Sequence, residues 1–173
     1  TKQGEKGTDV INLSNSGTKP VRLRVTIEEF TIDAQGTPFF SKAAGAPYSC
    51  ASWIQVNPLD FRIEPGQTRE IRYSLAVPSK VPDGGYRAAI VFQTVPDVKP
   101  GTAVKKVLIQ GRIAVIVYER VGAPEVEGQF KGLRTRNRKD GIDFILDISN
   151  SGRVHFRTKG KISVRDPSGR AVI

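Results

Sequence analysis

The chain has 173 residues, with 27 Lys and Arg against 17 Asp and Glu, a formal charge of +10, one His, one Cys and no Met. A single Cys excludes a disulfide within the chain, and no apolar run reaches the length of a membrane-spanning helix. His155 and Cys50 are far apart in sequence and make no zinc site without several carboxylates. The absence of Met and of a signal sequence points to a start that was processed or trimmed. The 11 Pro and 17 Gly, spaced among short apolar runs, suit an all-β protein.

Residues 1–9 are polar, with Gly4-Glu5-Lys6-Gly7 as a turn signal, and Val10-Ile11-Asn12-Leu13 follows as a short strand. Ser14-Asn15-Ser16-Gly17 turns the chain. Val21, Leu23, Val25 and Ile27 then alternate with Arg22, Arg24, Thr26 and Glu28, the period of a strand with one face in a core. At Glu28-Glu29 the phase slips to Phe30 and Ile32, which predicts a β-bulge or a bend. Asp33-Ala34-Gln35-Gly36 reads as a turn and residues 41–50 as irregular. Ala51 to Val56 resumes strand character, with Trp53 as a core plug and Cys50 as a small buried hydrophobe.

The stretch from Asp60 to Leu75 has two alternating halves around Pro65-Gly66: Phe61 and Ile63, then Ile71, Tyr73 and Leu75. It predicts a strand, an exposed turn and a strand, read as a hairpin. Val77 to Gly85 is a loop, and Tyr86, Ala88, Ile90 and Phe92 give another alternating strand. Residues 96–101 break it. Residues 107–118 form the longest apolar strand, and Ile113 to Val117 is apolar on both faces, as in a strand covered on both sides. Val121-Gly122-Ala123-Pro124 is a linker.

Beyond it, residues 126–133 are weakly β, Arg134 to Gly141 is a charged turn, and Ile142 to Ile148 is a strand. Leu146-Asp147-Ile148-Ser149-Asn150-Ser151-Gly152 repeats the pattern of Ile11-Asn12-Leu13-Ser14-Asn15-Ser16-Gly17, with Ser-Asn-Ser-Gly identical. Basic strands are expected after both copies, at 21–28 and 154–165. The expected organisation is two related β-sandwich domains: residues 1–121, a linker at 122–124, and residues 125–173. About fifty residues are too few for a sandwich core, so the second is expected to be incomplete or to find strands elsewhere.

No catalytic constellation emerges. Gly-x-Ser-x-Gly is absent, no Gly-rich phosphate loop opens a helix, and the acidic residues fall on polar strand faces. The expectation is a non-enzyme without cofactor or metal. The basic excess is spread over both halves, and the Arg134, Arg136, Arg138 and Lys139 cluster lacks the interleaved aromatics of a single-strand nucleic-acid site. It reads as a solvated hairpin, and no nucleic-acid partner is expected. The start of the long strand, Val104-Lys105-Lys106-Val107-Leu108-Ile109, follows a Pro- and Gly-rich loop. At a sheet edge it would bind an extended peptide by strand addition; inside a sheet it would be buried by its own domain. Periodicity leaves both open.

Asn57-Pro58-Leu59-Asp60-Phe61-Arg62-Ile63-Glu64-Pro65-Gly66-Gln67, continuing to Ile71-Arg72, resembles the signature of the PapD-like periplasmic pilus chaperones. Val107-Leu108-Ile109-Gln110-Gly111-Arg112-Ile113, on to Tyr118-Glu119-Arg120, resembles the last strand of their first domain. The resemblance implies tandem immunoglobulin-like β-sandwich domains at an angle. It also implies donor-strand complementation, in which the chaperone lends that strand to a pilin subunit. Val107 and Ile109 would be the lent side chains, with Lys105 at a third position that is normally apolar. The family anchors the subunit's terminal carboxylate with two basic residues. One belongs to a first strand not matched here; the other falls by register on Ala114, with Arg112 the nearest basic residue. Arg120 is not followed by Pro until Pro124.

The expected function is a secreted, periplasmic or extracellular, chaperone-like protein that binds extended β-strands of pilus or surface subunits. Its candidate binding residues are Lys105, Val107, Ile109 and Arg112, and an outer-membrane assembly protein is a further implied partner. The alternative is a structural immunoglobulin-like module of a surface or adhesive assembly.

Overall fold

The structure is a computed structural model that describes residues 1–33, 36–96 and 110–171. The described residues are all-β apart from one 3₁₀ turn, and the chain divides into two compact units, Thr1–Pro124 and Glu125–Ile173.

The first unit is a sandwich of two antiparallel sheets. One holds β1 (Lys6–Ser14), β6 (Thr68–Ala76) and β4 (Ile54–Asn57) in the order β1-β6-β4. The other holds β3 (Pro38–Lys42), β2 (Val21–Ile32), β7 (Gly84–Thr94) and β8 (Arg112–Val121) in that order, with β5 (Asp60–Ile63) also on β2. β5 and β3 share one edge of β2: β5 pairs with residues 21–24 and β3 with residues 28–32. Ile54, Val56, Ile71 and Leu75 of the first sheet meet Leu23, Val25, Phe61, Ile63, Ile90 and Phe92 of the second in one buried core. Trp53 packs on this core with its ring 4.5 Å from that of Tyr86, and Cys50 is fully buried within it. Burial, with the Glu119 charge adding to it, pushes the Cys50 thiol up to about 12, so it stays protonated and unreactive.

The stretch around Pro65-Gly66 is not a hairpin. β5 pairs with β2 in one sheet, and β6 pairs with β1 and β4 in the other. The turn carries the chain across the edge of the sandwich. Gln67 N–H closes it on Glu64 C=O at 3.1 Å, and Gly66 takes a φ of 72°. Alternation puts Phe61, Ile63, Ile71 and Leu75 toward the core whether two strands lie side by side or face each other, so the pattern alone does not distinguish the cases.

Asn15 ties this crossing to the turn after β1. Its backbone accepts from Gly66 N–H at 2.7 Å and donates to Gln67 C=O at 2.9 Å. Its Nδ2 donates to Ile63 C=O at 3.0 Å and Lys19 C=O at 2.8 Å, and its Oδ1 accepts from Gly17 N–H at 3.0 Å.

The phase slip at Glu28-Glu29 is neither a bulge nor a bend. The register of β2 is continuous against both β7 and β3. Phe30 instead faces the outer side of the sheet, where it forms a second cluster with Ala89 and Val91, packed against Phe40 and Ala114. β7 is therefore the strand buried on both faces. The same reading for β8 fails: Ile113 is 61% and Ile116 36% exposed. Among the described residues β8 lies at the end of the strand order, with β7 as its one neighbour.

Other differences are local. β1 begins at Lys6, because residues 6–9 pair with β6 although they are polar. Ala51–Trp53 is a 3₁₀ turn, and Pro38–Lys42 forms a strand on the edge of β2.

Glu29 is a buried charge rather than a solvated one. It continues the inward series Leu23, Val25, Ile27, and its carboxylate accepts the N–H groups of Gly45 at 2.8 Å and Ala46 at 3.0 Å. Burial raises its carboxyl, but the Ala46 and Gly45 amides and the Ser49 hydroxyl outweigh that and hold it below the ordinary 4.5. A lowered folded-state value means that the charge stabilises the fold fully above the unfolded-state value and less as pH falls through the folded one. Glu29→Gln is expected to cost about 1 kcal/mol at neutral pH, with the gap to the unsubstituted chain closing below about pH 4.5. Urea midpoints measured across that range check it; a gap that does not change with pH would mean that the charge is not what holds the loop.

The second unit is built on β9 (Gly128–Arg138) and β10 (Gly141–Asn150), one antiparallel pair. Arg134 to Arg138 thus belongs to a strand, and the turn shrinks to Lys139-Asp140. The internal repeat extends to its hydrogen bonds: Asn150 Nδ2 donates to Val154 C=O and its Oδ1 accepts from Gly152 N–H, both at 3.0 Å, matching Asn15 with Lys19 and Gly17. The expected basic strand at 154–165 is not formed. β2 exists because β5 and β7 pair with it; among the described residues, only an isolated bridge from Arg165 to Ala171 involves this segment.

Candidate partner-binding site

Lys105, Val107 and Ile109 lie outside the described residues, as do residues 97–101 of the loop expected before them. The described structure resumes at Gln110, where the chain joins β7. Gln93 Nε2 donates to Gln110 Oε1 at 2.9 Å, Thr94 N–H to Gly111 C=O at 2.9 Å, and Gly111 N–H to Thr94 Oγ1 at 2.8 Å.

Gly111 thus directs its main-chain groups at β7, and strand alternation points those of residues 112, 114, 116, 118 and 120 away from it. At the far end this outer edge is occupied. Thr1 donates its amino group to Arg120 C=O at 3.1 Å and accepts from Gly122 N–H at 3.0 Å. Among the described residues, no strand pairs with the rest of the edge. Ile113, Ile116 and Tyr118 are exposed along it.

Arg112 stands at the start of this edge, but its guanidinium is engaged. It reaches over β7 to Glu28 of β2, with Nη2 at 2.7 and 2.8 Å from the two carboxylate oxygens. Thr26 Oγ1 donates to the same carboxylate at 2.9 Å. An ion pair this exposed is worth about 1 kcal/mol or less, so its main effect is to orient Arg112 across the outer face. Ala114, where the resemblance seeks a basic anchor, packs against Phe30, Ala89 and Val91.

The arginine row of β9 is also paired. Arg134 holds Asp147 through two bonds at 2.7 and 2.9 Å, and Arg136 and Arg138 share Asp143 at 2.7 Å each. These contacts hold the Asp143 and Asp147 carboxyls below their ordinary range. The alternation places all three arginines on one face, as a salt-bridged row in solvent. Among the described residues no group of three or more His, Cys, Asp or Glu is placed to hold a metal, and no helix is long and apolar enough to cross a membrane.

Two features escaped the sequence reading. Glu29 was legible in principle, since the inward series of odd residues reaches it. Arg87, which lies over the Phe30 ring on the outer face, carries no sequence signal beyond its place in an alternating strand.

Among solved structures, the chain is similar to the class 5 fimbriae chaperone CfaA, with a TM-score of 0.51, 13% identity, and 89% of this chain and 64% of that chain covered. The chain has the fold of the PapD-like fimbrial chaperones. It is likewise similar to a chain of a chaperone–tip adhesin complex of CFA/I fimbriae biogenesis, with a TM-score of 0.52, 12% identity, and 88% and 64% covered. A third PapD-like match is a chain of the CsuC–CsuE chaperone–tip adhesion subunit pre-assembly complex of Acinetobacter baumannii, with a TM-score of 0.50, 15% identity, and 88% and 68% covered. The chain spans 64% of the length of the first two. No family model matches, and no curated protein matches in sequence.

Proposed function

We propose that this chain is a secreted, non-enzymatic, chaperone-like protein that binds extended β-strands of pilus or surface subunits by strand addition, in the periplasm or outside the cell. The observation that carries the reading is the edge of β8 with which no strand pairs among the described residues, and which continues directly from the segment holding Lys105, Val107 and Ile109. Edge amides and carbonyls supply affinity for a partner strand, and alternate apolar side chains supply specificity. The PapD-like fold supports it, because two of the similar chains come from chaperone–subunit complexes.

Photo-crosslinking from position 109 of the full-length protein, in its secretory compartment, is expected to yield a discrete adduct with a secreted subunit. Ile109→Asp is expected to weaken subunit binding by about 2 kcal/mol, roughly thirtyfold, the worth of one buried Ile. Unchanged binding by a variant that folds, judged by Trp53 fluorescence, would remove strand lending as the mechanism. A structural immunoglobulin-like module is the second reading, favoured by the engagement of Arg112 with Glu28. Retention in mature fibres rather than release from them would select it.

A further inference from the structure

We propose that a cavity between β2, the start of β7 and residues 43–50 binds a carboxylate carried on an apolar group, with Arg87 as the receiving residue. The cavity measures about 300 Å³ and is lined by Glu29, Phe30, Ser41, Tyr48, Ser49 and Arg87 among others.

Arg87 is the reason to look for an anion. On the same sheet, Arg22, Arg24, Arg62 and Arg112 each have a carboxylate within 3.5 Å. Arg87 is more shielded than these, and among the described residues it has none. Its Nε donates to Phe30 C=O at 3.2 Å, and its guanidinium carbon lies 6.0 Å from the centre of the Phe30 ring. Those contacts orient the guanidinium plane, and among the described residues no hydrogen bond engages either terminal nitrogen. A fixed guanidinium fork is matched to a carboxylate or a phosphate, and the apolar surface beside it favours the more weakly hydrated carboxylate.

The wall opposite is built in advance. Glu29 turns its carboxylate into residues 43–50 and accepts the amides of Gly45 and Ala46, which consumes its charge in holding the loop. It makes no ion pair with Arg87. The same loop holds Tyr48 at a φ of 61°, the left-handed region that a tyrosine enters only when its surroundings impose it. Backbone bonds lock it there: Arg87 N–H donates to Tyr48 C=O at 2.9 Å, and Cys50 N–H to Arg87 C=O at 3.1 Å. Phe30 and Tyr48 offer apolar surface beside the cation, and the Ser41 side chain is a further polar group of the lining. A residue-sized acid with an aromatic or branched side group satisfies all of these features.

The test titrates the isotope-labelled full chain with N-acetylphenylalanine and with its amide, following the backbone signals of residues 43–50. The acid is expected to bind with a dissociation constant on the order of a millimolar, as for a ligand of this size. The amide, and the acid against Arg87→Gln, are each expected to bind about tenfold more weakly, the cost of losing a charge-assisted pair. Tighter binding of an N-acetylated tripeptide ending in Phe would assign the site to a chain terminus; equal binding would assign it to a free acid. The acid–amide comparison needs no variant, so a poorly folding Arg87→Gln does not decide the matter. Equal binding of acid and amide, or no response of residues 43–50, overturns the proposal.

Discussion

Phe92→Ala is expected to destabilise the first unit by about 4 kcal/mol, a large part of the stability of a domain of this size. Phe92 is 1% exposed and sits on the inner face of β7. Its register partners are Val25 on β2 and Ile113 on β8, and its ring meets that of Phe61 edge-on at 6.5 Å. The side chain therefore bridges three strands of one sheet and faces the other sheet. Truncation removes its buried area and leaves a cavity that a closely packed interior closes only in part. Trp53 is the sole tryptophan and lies in this unit, so its fluorescence in urea reports the unit's unfolding. The midpoint should fall with little change in slope. Phe39→Ala, at a position 58% exposed, serves as the control and should stay within about 0.5 kcal/mol. A loss below about 1 kcal/mol for Phe92→Ala would show that the core does not close around this residue.

Asn15→Ala is expected to cost about 2 to 3 kcal/mol, whereas Asn150→Ala, at the matching position of the repeat, should cost less than about 1 kcal/mol. Both asparagines bond the amide two residues on and the carbonyl four residues on. Only Asn15 is buried, and only its Nδ2 reaches across to a separate strand, at Ile63 C=O. Its removal leaves the Ile63 C=O short of a partner where water has poor access, and takes one bond each from Lys19 C=O and Gly17 N–H nearer the surface. It also loosens the crossing that feeds β6 into the opposite sheet. Thermal melts of the two variants make the comparison. Equal losses would mean that the local turn, and not the tie between the sheets, is what the asparagine supplies.

These contrasts show where sequence reasoning holds and where it stops. Period-two alternation identified the inner faces of β2, β5, β6 and β7, because side-chain direction along a strand depends only on the neighbouring residues. The buried, inert Cys50 and the core-packed Trp53 were legible for a similar reason: residue type sets the cost of leaving them in water. Pro65-Gly66 is a turn, as its residues dictate, but not the turn of a hairpin. Tight hairpins favour turns with the opposite backbone twist, so Pro-Gly was itself a signal against side-by-side pairing. The candidate site was legible only in part. The free edge of β8 depends on which strand comes last in the sheet, and the engagement of Arg112 depends on Glu28, 84 positions earlier.

By itself, the sequence determined that this is an all-β chain, that Pro65-Gly66 turns it, which faces of β2, β5, β6 and β7 are inward, and that a Ser-Asn-Ser-Gly turn occurs twice. All of these follow from interactions within a few residues. Only the tertiary structure decided that β5 and β6 lie in opposite sheets and that Phe30 closes a second cluster on the outer face. It also decided that Glu29 is buried against a loop and that residues 154–164 form no strand. Each of those depends on a partner distant in sequence. A strand exists only where another strand accepts its hydrogen bonds, and a buried charge persists only where the fold supplies donors to it.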